Sequence, residues 1–373
     1  MRTYILAACL IANVAIADDI VGFTAYENGD YTTAYPNLVE SANKGNDEAM
    51  YLLGNMFQYG YGVILDYNKA GEWYQKAADK NNALAQLSMG YLYDSGSGFK
   101  KDYEKAFSWY MKSAMQGNAI AQRNVGLMYS SGDGVKASDE NAFEWFTKSS
   151  TLGYAKAQVN LGYQYMLGLG TKKDVNKALY WYEKAAEQGD ARGEYSVGLL
   201  YTGKYGIETS QKLATYWFLK AAEQGHVNAQ TNVAYQYLNG LGMDAADPKK
   251  AAYWYQQASE AGNVEAQVAL GQLLLTGTGI EKDYAQSAFW FGRAAAEGDS
   301  VAQSKLAYLY IAGLGVKQDK VKAYAWLKLA ALKKNEQAIK DLTKLEPTLT
   351  ADEKKQGEKL FEDMKGKSSV SEN

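Results

Sequence analysis

His226 is the only histidine among 373 residues and Cys9 the only cysteine, so the side chains that most often supply general bases, nucleophiles and zinc ligands are nearly absent. A histidine-based triad needs a serine or cysteine beside a base and an orienting acid. A structural zinc site needs four Cys or His ligands. Neither can be assembled here. His226 directly follows Gly225, at a position taken elsewhere by Asn118, Tyr154, Asp190, Asn263 and Asp299. These are mostly residue types that cap a helix, and His226 reads as one of them. Paired glycines recur as Gly60/Gly62, Gly96/Gly98, Gly132/Gly134, Gly168/Gly170, Gly240/Gly242, Gly277/Gly279 and Gly313/Gly315. They are turns rather than phosphate loops, because they follow helical patterns and lack the lysine-serine pair that a phosphate loop needs. No acid stands out from the capping and solvent positions. The sequence therefore assigns no catalytic, cofactor-binding or metal-binding residue and predicts a protein that is not an enzyme and uses no cofactor.

The remaining chemistry is recognition. Tyr91, Tyr163, Tyr235 and Tyr308 recur at one register position, alternating with Asn55, Leu127, Leu199 and Gln272. Tyrosine offers a large amphipathic contact area at low entropic cost, so these four are candidate partner-binding residues. The same position could also pack against a neighbouring helix.

What places them is a repeat. All eight tryptophans, Trp73, Trp109, Trp145, Trp181, Trp217, Trp254, Trp290 and Trp326, are spaced by 36 residues with one step of 37. A second ladder, Gly54, Gly90, Gly126, Gly162, Gly198, Ala234, Gly271 and Ala307, keeps the same register. Such a period marks a supersecondary unit that buries its apolar face only by stacking on its neighbours. Seven residues before each tryptophan stands a capping residue: Asp66, Asp102, Ser138, Asp174, Ser210, Asp247, Asp283 and Asp319. A helix starts at each. Its apolar stripe, for example Ala178, Trp181, Tyr182, Ala185 and Ala186, has helical spacing, and it ends at a glycine such as Gly189, with Asn81 as a substitute. The other helix of each copy, first in chain order, has a stripe such as Ala157, Leu161, Tyr165. The mid-helix glycine predicts a close approach to the bulky Trp-Tyr pair. Only the fifth copy departs at the glycine turn, with Gly203-Lys204-Tyr205-Gly206.

The composite A-x-x-x-L-G-x-x-Y-x-x-G-x-G-V, then D-x-x-K-A-x-x-W-Y-x-K-A-A-x-Q-G, resembles the Sel-one-like repeat family, a relative of the tetratricopeptide repeat. Ala157 to Gly189 match it almost throughout. The resemblance implies an all-α fold, a right-handed α-α superhelical solenoid of helix-turn-helix repeats, whose first helices line a concave face. It also implies a scaffold that binds a protein partner there, in envelope signalling, assembly or host interaction. A cysteine-rich branch of the family that acts on penicillins carries cysteine pairs absent here. A hydrolase or binder of cell-wall fragments or β-lactams is the alternative reading.

Residues 1–17 read as a signal peptide, with Arg2 at the positive end, an apolar run from Tyr4 to Ile16, and cleavage after Ala17. A bacterial protein exported to the periplasm or secreted is expected, one elongated body without a membrane-spanning helix. Leu6-Ala7-Ala8-Cys9 also resembles a lipobox, and membrane association is expected only if Cys9 is lipidated. Residues 18–46 are read as N-terminal capping helices, 47–335 as eight repeats, 336–364 as a C-terminal capping helix opened by the capping box at Thr350, and 365–373 as a disordered tail. The net charge of −3 supplies no basic field for nucleic acid.

Overall fold

The computed structural model describes residues 20–370, and every regular element among them is helical. The chain divides into two compact units, Met1–Gln188 and Gly189–Asn373, with the dividing line near the end of the fourth copy. The first unit holds α1 (20–27), α2 (Tyr31–Asn43), α3 (Asp47–Tyr59), α4 (Tyr67–Asp79), α5 (Ala83–Ser95), α6 (Tyr103–Met115), α7 (Ala119–Ser131), α8 (Asp139–Thr151), α9 (Ala155–Leu167) and α10 (Val175–Glu187). The second holds α11 (Ala191–Tyr201), α12 (Gln211–Glu223), α13 (Val227–Asn239), α14 (Pro248–Glu260), α15 (Val264–Thr276), α16 (Tyr284–Ala296), α17 (Ser300–Ala312), α18 (Lys320–Leu332), α19 (Glu336–Leu345) and α20 (Ala351–Val370). Within each unit consecutive helices pack as helix-turn-helix pairs. The expected leader, its cleavage point after Ala17, and Cys9 lie outside the described residues.

Local chemistry sets the boundaries. The Asp174 carboxylate accepts the Lys177 amide at 3.0 Å to open α10, and Asn118 Oδ1 accepts the Ala121 amide at 2.9 Å to open α7. Each satisfies a donor that has no partner inside the helix. Tyr154 is the exception, since α9 starts with no side-chain cap. Left-handed residues close the second helix of each pair: glycine in most copies, Asn81 at φ 69°, and Lys334 at φ 59° in the last. In the fifth copy α11 is two residues shorter than its counterparts and ends on right-handed Thr202.

The core corrects one reading. The residue that meets the mid-helix glycine is the ring after the tryptophan, not the Trp-Tyr pair. A Cβ built on Gly162 would lie 2.7 Å from two ring carbons of Tyr182, and one on Gly126 equally close to Phe146. Gly54, Gly90, Gly198 and Gly271 meet Tyr74, Tyr110, Phe218 and Phe291 in the same way. The tryptophans lie one position round the helix and are mostly half-buried, only Trp145 and Trp290 being buried. A cation stands over some of them: Lys112 Nζ lies 3.7 Å from the Trp109 ring and Lys76 4.0 Å from Trp73. Adjacent helical positions point about 100° apart, so only one of two neighbouring aromatics can face the glycine.

A polar column completes each pair. Gln122 Nε2 donates to the Ala114 carbonyl at 3.2 Å, and Gln86, Gln158, Gln230, Gln267 and Gln303 repeat the bond to the carbonyl eight residues back. Each adds a second donor to a carbonyl at the end of the preceding helix that already accepts a turn amide, as Ala114 does from Gly117 at 3.0 Å.

At the C-terminal end the expected single helix is two. α19 starts on Asn335 in the repeat's own register and stops at a 3₁₀ turn, Glu346–Thr348, that contains Pro347, which cannot donate to the ladder. Thr350 and Glu353 form the expected capping box, with amide bonds of 2.8 and 3.2 Å in the two directions. α20 lies on α18: Tyr324 Oη donates to Glu358 at 2.7 Å, and Phe361 is buried beside Ala325 and Leu329. It continues to Val370, beyond Met364 where the sequence reading ended it.

Candidate partner-binding face

Gly90, Gly162, Ala234 and Ala307 face the core, so the next residue in each helix turns outward. Tyr91 is 49% exposed, Tyr163 52%, Tyr235 53% and Tyr308 46%. Their hydroxyls make no hydrogen bond among the described residues. The intervening copies differ. Asn55 accepts the Tyr74 hydroxyl at 2.7 Å, Leu127 and Leu199 pack against buried clusters, and Gln272 lines a hollow. The four tyrosines thus stand apart from their own register-mates, one pair in each unit.

The second unit has hollows of its own, one of them lined by Tyr308. A hollow of about 420 Å³ lies between α15 and α17, lined by Val268, Ala269, Gln272, Val301 and Lys305 over Phe291. Another, of about 360 Å³, adjoins Tyr308, Lys305 and Leu314. Tyr308 lines the second hollow together with Ser304, Gln337 and Asp341. The polar groups of the two hollows are amides, hydroxyls, Lys305 and the carboxylates of Glu265, Asp299 and Asp341.

The residues weighed for catalysis go elsewhere. His226 Nδ1 accepts the Ala229 amide at 3.2 Å, and its ring stacks on Tyr195 with centroids 4.5 Å apart. Accepting at Nδ1 requires neutral imidazole, and burial pulls the His226 pKa below its ordinary value, with Arg192 adding and Asp190 opposing. It is a cap and a packing residue. Burial likewise pushes the Tyr26 phenol up to about 12 and the core phenols of Tyr110 and Tyr182 well above the usual tyrosine value. No group of three His, Cys, Asp or Glu among the described residues could hold a metal, and no helix among them is long and apolar enough to cross a membrane.

Sequence reasoning missed a second exposed aromatic column on the other helices. Tyr180, Tyr216, Tyr253 and Phe289 are each about half exposed and set edge-on to the following tryptophan at 4.9–5.1 Å. The signal was present: the residue before the tryptophan is Glu72, Ser108 and Glu144 in the first three copies and aromatic in the next four.

The comparisons agree with this architecture. The Sel1 repeat matches eight times without a gap, at residues 47–82, 83–118, 119–154, 155–190, 191–226, 227–263, 264–299 and 300–335. A protective antigen of uropathogenic Escherichia coli strains with an SLR fold is 32% identical over 96% of this chain and 86% of its own, at a TM-score of 0.55. A Sel1 repeat protein from Oxalobacter formigenes is 33% identical over 65% of this chain and 99% of its own, at 0.61. No curated protein matches the chain. Eight contiguous copies, each with its capped helix pair and its glycine closed on a ring or the alanine that replaces it, place the chain in the Sel1 repeat family.

Proposed function

We propose that this chain is an exported, non-enzymatic scaffold that binds a protein partner, of the cell envelope or of a host, through the tyrosine positions on the first helices of its repeats. Sel1 repeat proteins are in general protein-interaction scaffolds, and no enzyme family is indicated. The observation that carries the reading is the exposure of Tyr91, Tyr163, Tyr235 and Tyr308 with free hydroxyls, at a position whose other occupants are partly buried. Export is supported by the apolar run and small-residue cleavage pattern of residues 1–17. The relative at 32% identity is a protective antigen, and that supports a location outside the cytoplasm for this chain as well.

Affinity capture from envelope extract and from host secretions tests the reading. Wild-type protein should retain one specific partner that the Tyr91/Tyr163/Tyr235→Ala variant loses, with thermal melts checking that the variant folds. Equal capture by both proteins would refute the assigned face. Turnover of labelled muropeptides or penicillin by purified protein would refute the non-enzymatic assignment.

A further inference from the structure

The loops that join the first helix to the second lie along one edge of the first unit. Each rests on the start of the preceding second helix: Gly62 on Tyr31, Gly98 on Tyr67, Gly134 on Tyr103 and Gly170 on Asp139. One loop is unlike the others. Ile64 is 90% exposed and Leu65 50%, with Tyr59 and Tyr61 exposed beside them. At the position of Ile64 the seven other copies carry Lys100, Lys136, Lys172, Glu208, Asp244, Glu281 and Lys317, a charge in every one. The repeat therefore places a solubilising charge at this tip seven times and an isoleucine once.

Ile64 does not fold back on the protein. The Tyr61 amide donates to the Met56 carbonyl and the Asp66 amide to the Phe57 carbonyl, both at 2.9 Å, so the loop is held at its two ends. The Tyr61 ring is sandwiched, with its centroid 4.9 Å from Tyr31 and 5.4 Å from Tyr59. A rigid stack of phenols thus presents an aliphatic tip to solvent. Exposed apolar groups of this kind mark a contact surface.

The neighbouring loops indicate the contact. Lys100, Lys101, Lys136, Lys172 and Lys173 are exposed along the same edge and form no ion pair among the described residues. The capping carboxylates Asp66, Asp102 and Asp174 are already met by Lys69, Lys105 and Lys177 at 4.0, 3.4 and 3.8 Å. The acids left along this row include Glu104, Asp133, Asp139 and Glu140, and Asp133 acts on Lys101 together with Asp94. An aliphatic tip, phenols at its base and a line of lysines behind it match the layers of an anionic bilayer surface: acyl boundary, interface and headgroups. We propose that this edge of the first unit docks on an anionic membrane surface, with Ile64 and Leu65 entering the acyl boundary and Tyr59 and Tyr61 at headgroup level.

The test is co-sedimentation of the chain from Asp18 onward, which keeps every described residue, with phosphatidylglycerol/phosphatidylcholine vesicles and with phosphatidylcholine vesicles. The expected result is binding to the first and much weaker binding to the second, lost in about 0.5 M salt. Ile64→Asp/Leu65→Asp should weaken binding at least about tenfold. Lys136→Glu/Lys172→Glu, remote from the tyrosine stack, should weaken it on anionic vesicles at low salt, and Tyr163→Ala should leave it unchanged. Thermal melts check that the variants fold. No binding to either vesicle, or equal binding by wild type and both charge-altered variants, would overturn the proposal. So would light scattering that shows a wild-type dimer dissolved by Ile64→Asp/Leu65→Asp without any lipid binding, which would assign the tip to a second copy of the chain.

Discussion

Gly162→Ala isolates the contact on which each helix pair closes. An added methyl would meet Cδ1 and Cε1 of Tyr182 at 2.7 Å, where carbon atoms ordinarily rest about 3.5–4.0 Å apart. Two effects compete. Alanine in mid-helix gains about 1 kcal/mol over glycine, while overpacking a filled core costs about 1–3 kcal/mol. The buried Tyr182 ring has nowhere to turn, so the substitution should destabilise α9 and α10 by about 1 kcal/mol. With Tyr182→Leu the obstruction is gone, and Gly162→Ala should then stabilise by about 1 kcal/mol, a coupling of about 2 kcal/mol with a change of sign. The chain contains this combination in its eighth copy, where Ala307 and Leu327 share one buried cluster. The sixth copy sets Ala234 and Tyr255 in one cluster, and that copy also has the longer loop. A repeat array does not unfold in one step, so the assay is hydrogen exchange of the α9 and α10 amides rather than a global midpoint. If Gly162→Ala slows exchange in the wild-type background, or has the same effect in both backgrounds, glycine is not there to admit the ring.

Three further outcomes follow from the caps. His226 is neutral in the fold and its pKa is depressed, so below about pH 6.5 the unfolded chain takes up the proton first. The cap's contribution is then fully present above that pH and is lost as pH falls through the lower folded value. Wild type and His226→Asn should melt alike at about pH 7.5 and diverge toward pH 5, with wild type weaker by up to about 1 kcal/mol; parallel pH profiles would show that the Nδ1 bond does not matter. Tyr154→Asp supplies the side-chain cap that α9 lacks and should slow exchange in α9 by about 0.5–1 kcal/mol, whereas faster exchange there would mean that the phenol packs for a purpose. Asp174→Ala removes the bond to the Lys177 amide and should cost about 1 kcal/mol, measured as faster exchange in the first turn of α10.

Much of this architecture is legible in one dimension because a repeat states its own alignment. Cap, stripe, glycine and turn recur at fixed offsets, so the helix pairs, the left-handed positions such as Asn81, and the exposed tyrosine column can be read from spacing. Three features escape for physical reasons. Trp181 and Tyr182 are neighbours on one apolar stripe, and periodicity cannot say which ring faces the glycine. Gln158 has the composition of a surface residue, yet its amide reaches the Ser150 carbonyl and is buried; the recurring Ala-Gln dipeptide was the available sign. Pro347 splits the C-terminal segment into α19 and α20 because Asn335 continues the repeat's register past the last tryptophan. Ile64 escapes for a different reason, since aligning copies on what they share hides the one place where a copy differs.

The central claim is that recognition uses the first-helix face. Its most direct test is a photo-crosslinking residue placed in turn at Tyr163, at Tyr235 and at the equally exposed Tyr253 on a second helix, in protein exposed to envelope extract and host secretions. Adducts to one partner at Tyr163 or Tyr235, and none at Tyr253, are the result this account predicts. Adducts at Tyr253 with none at the other two would contradict it.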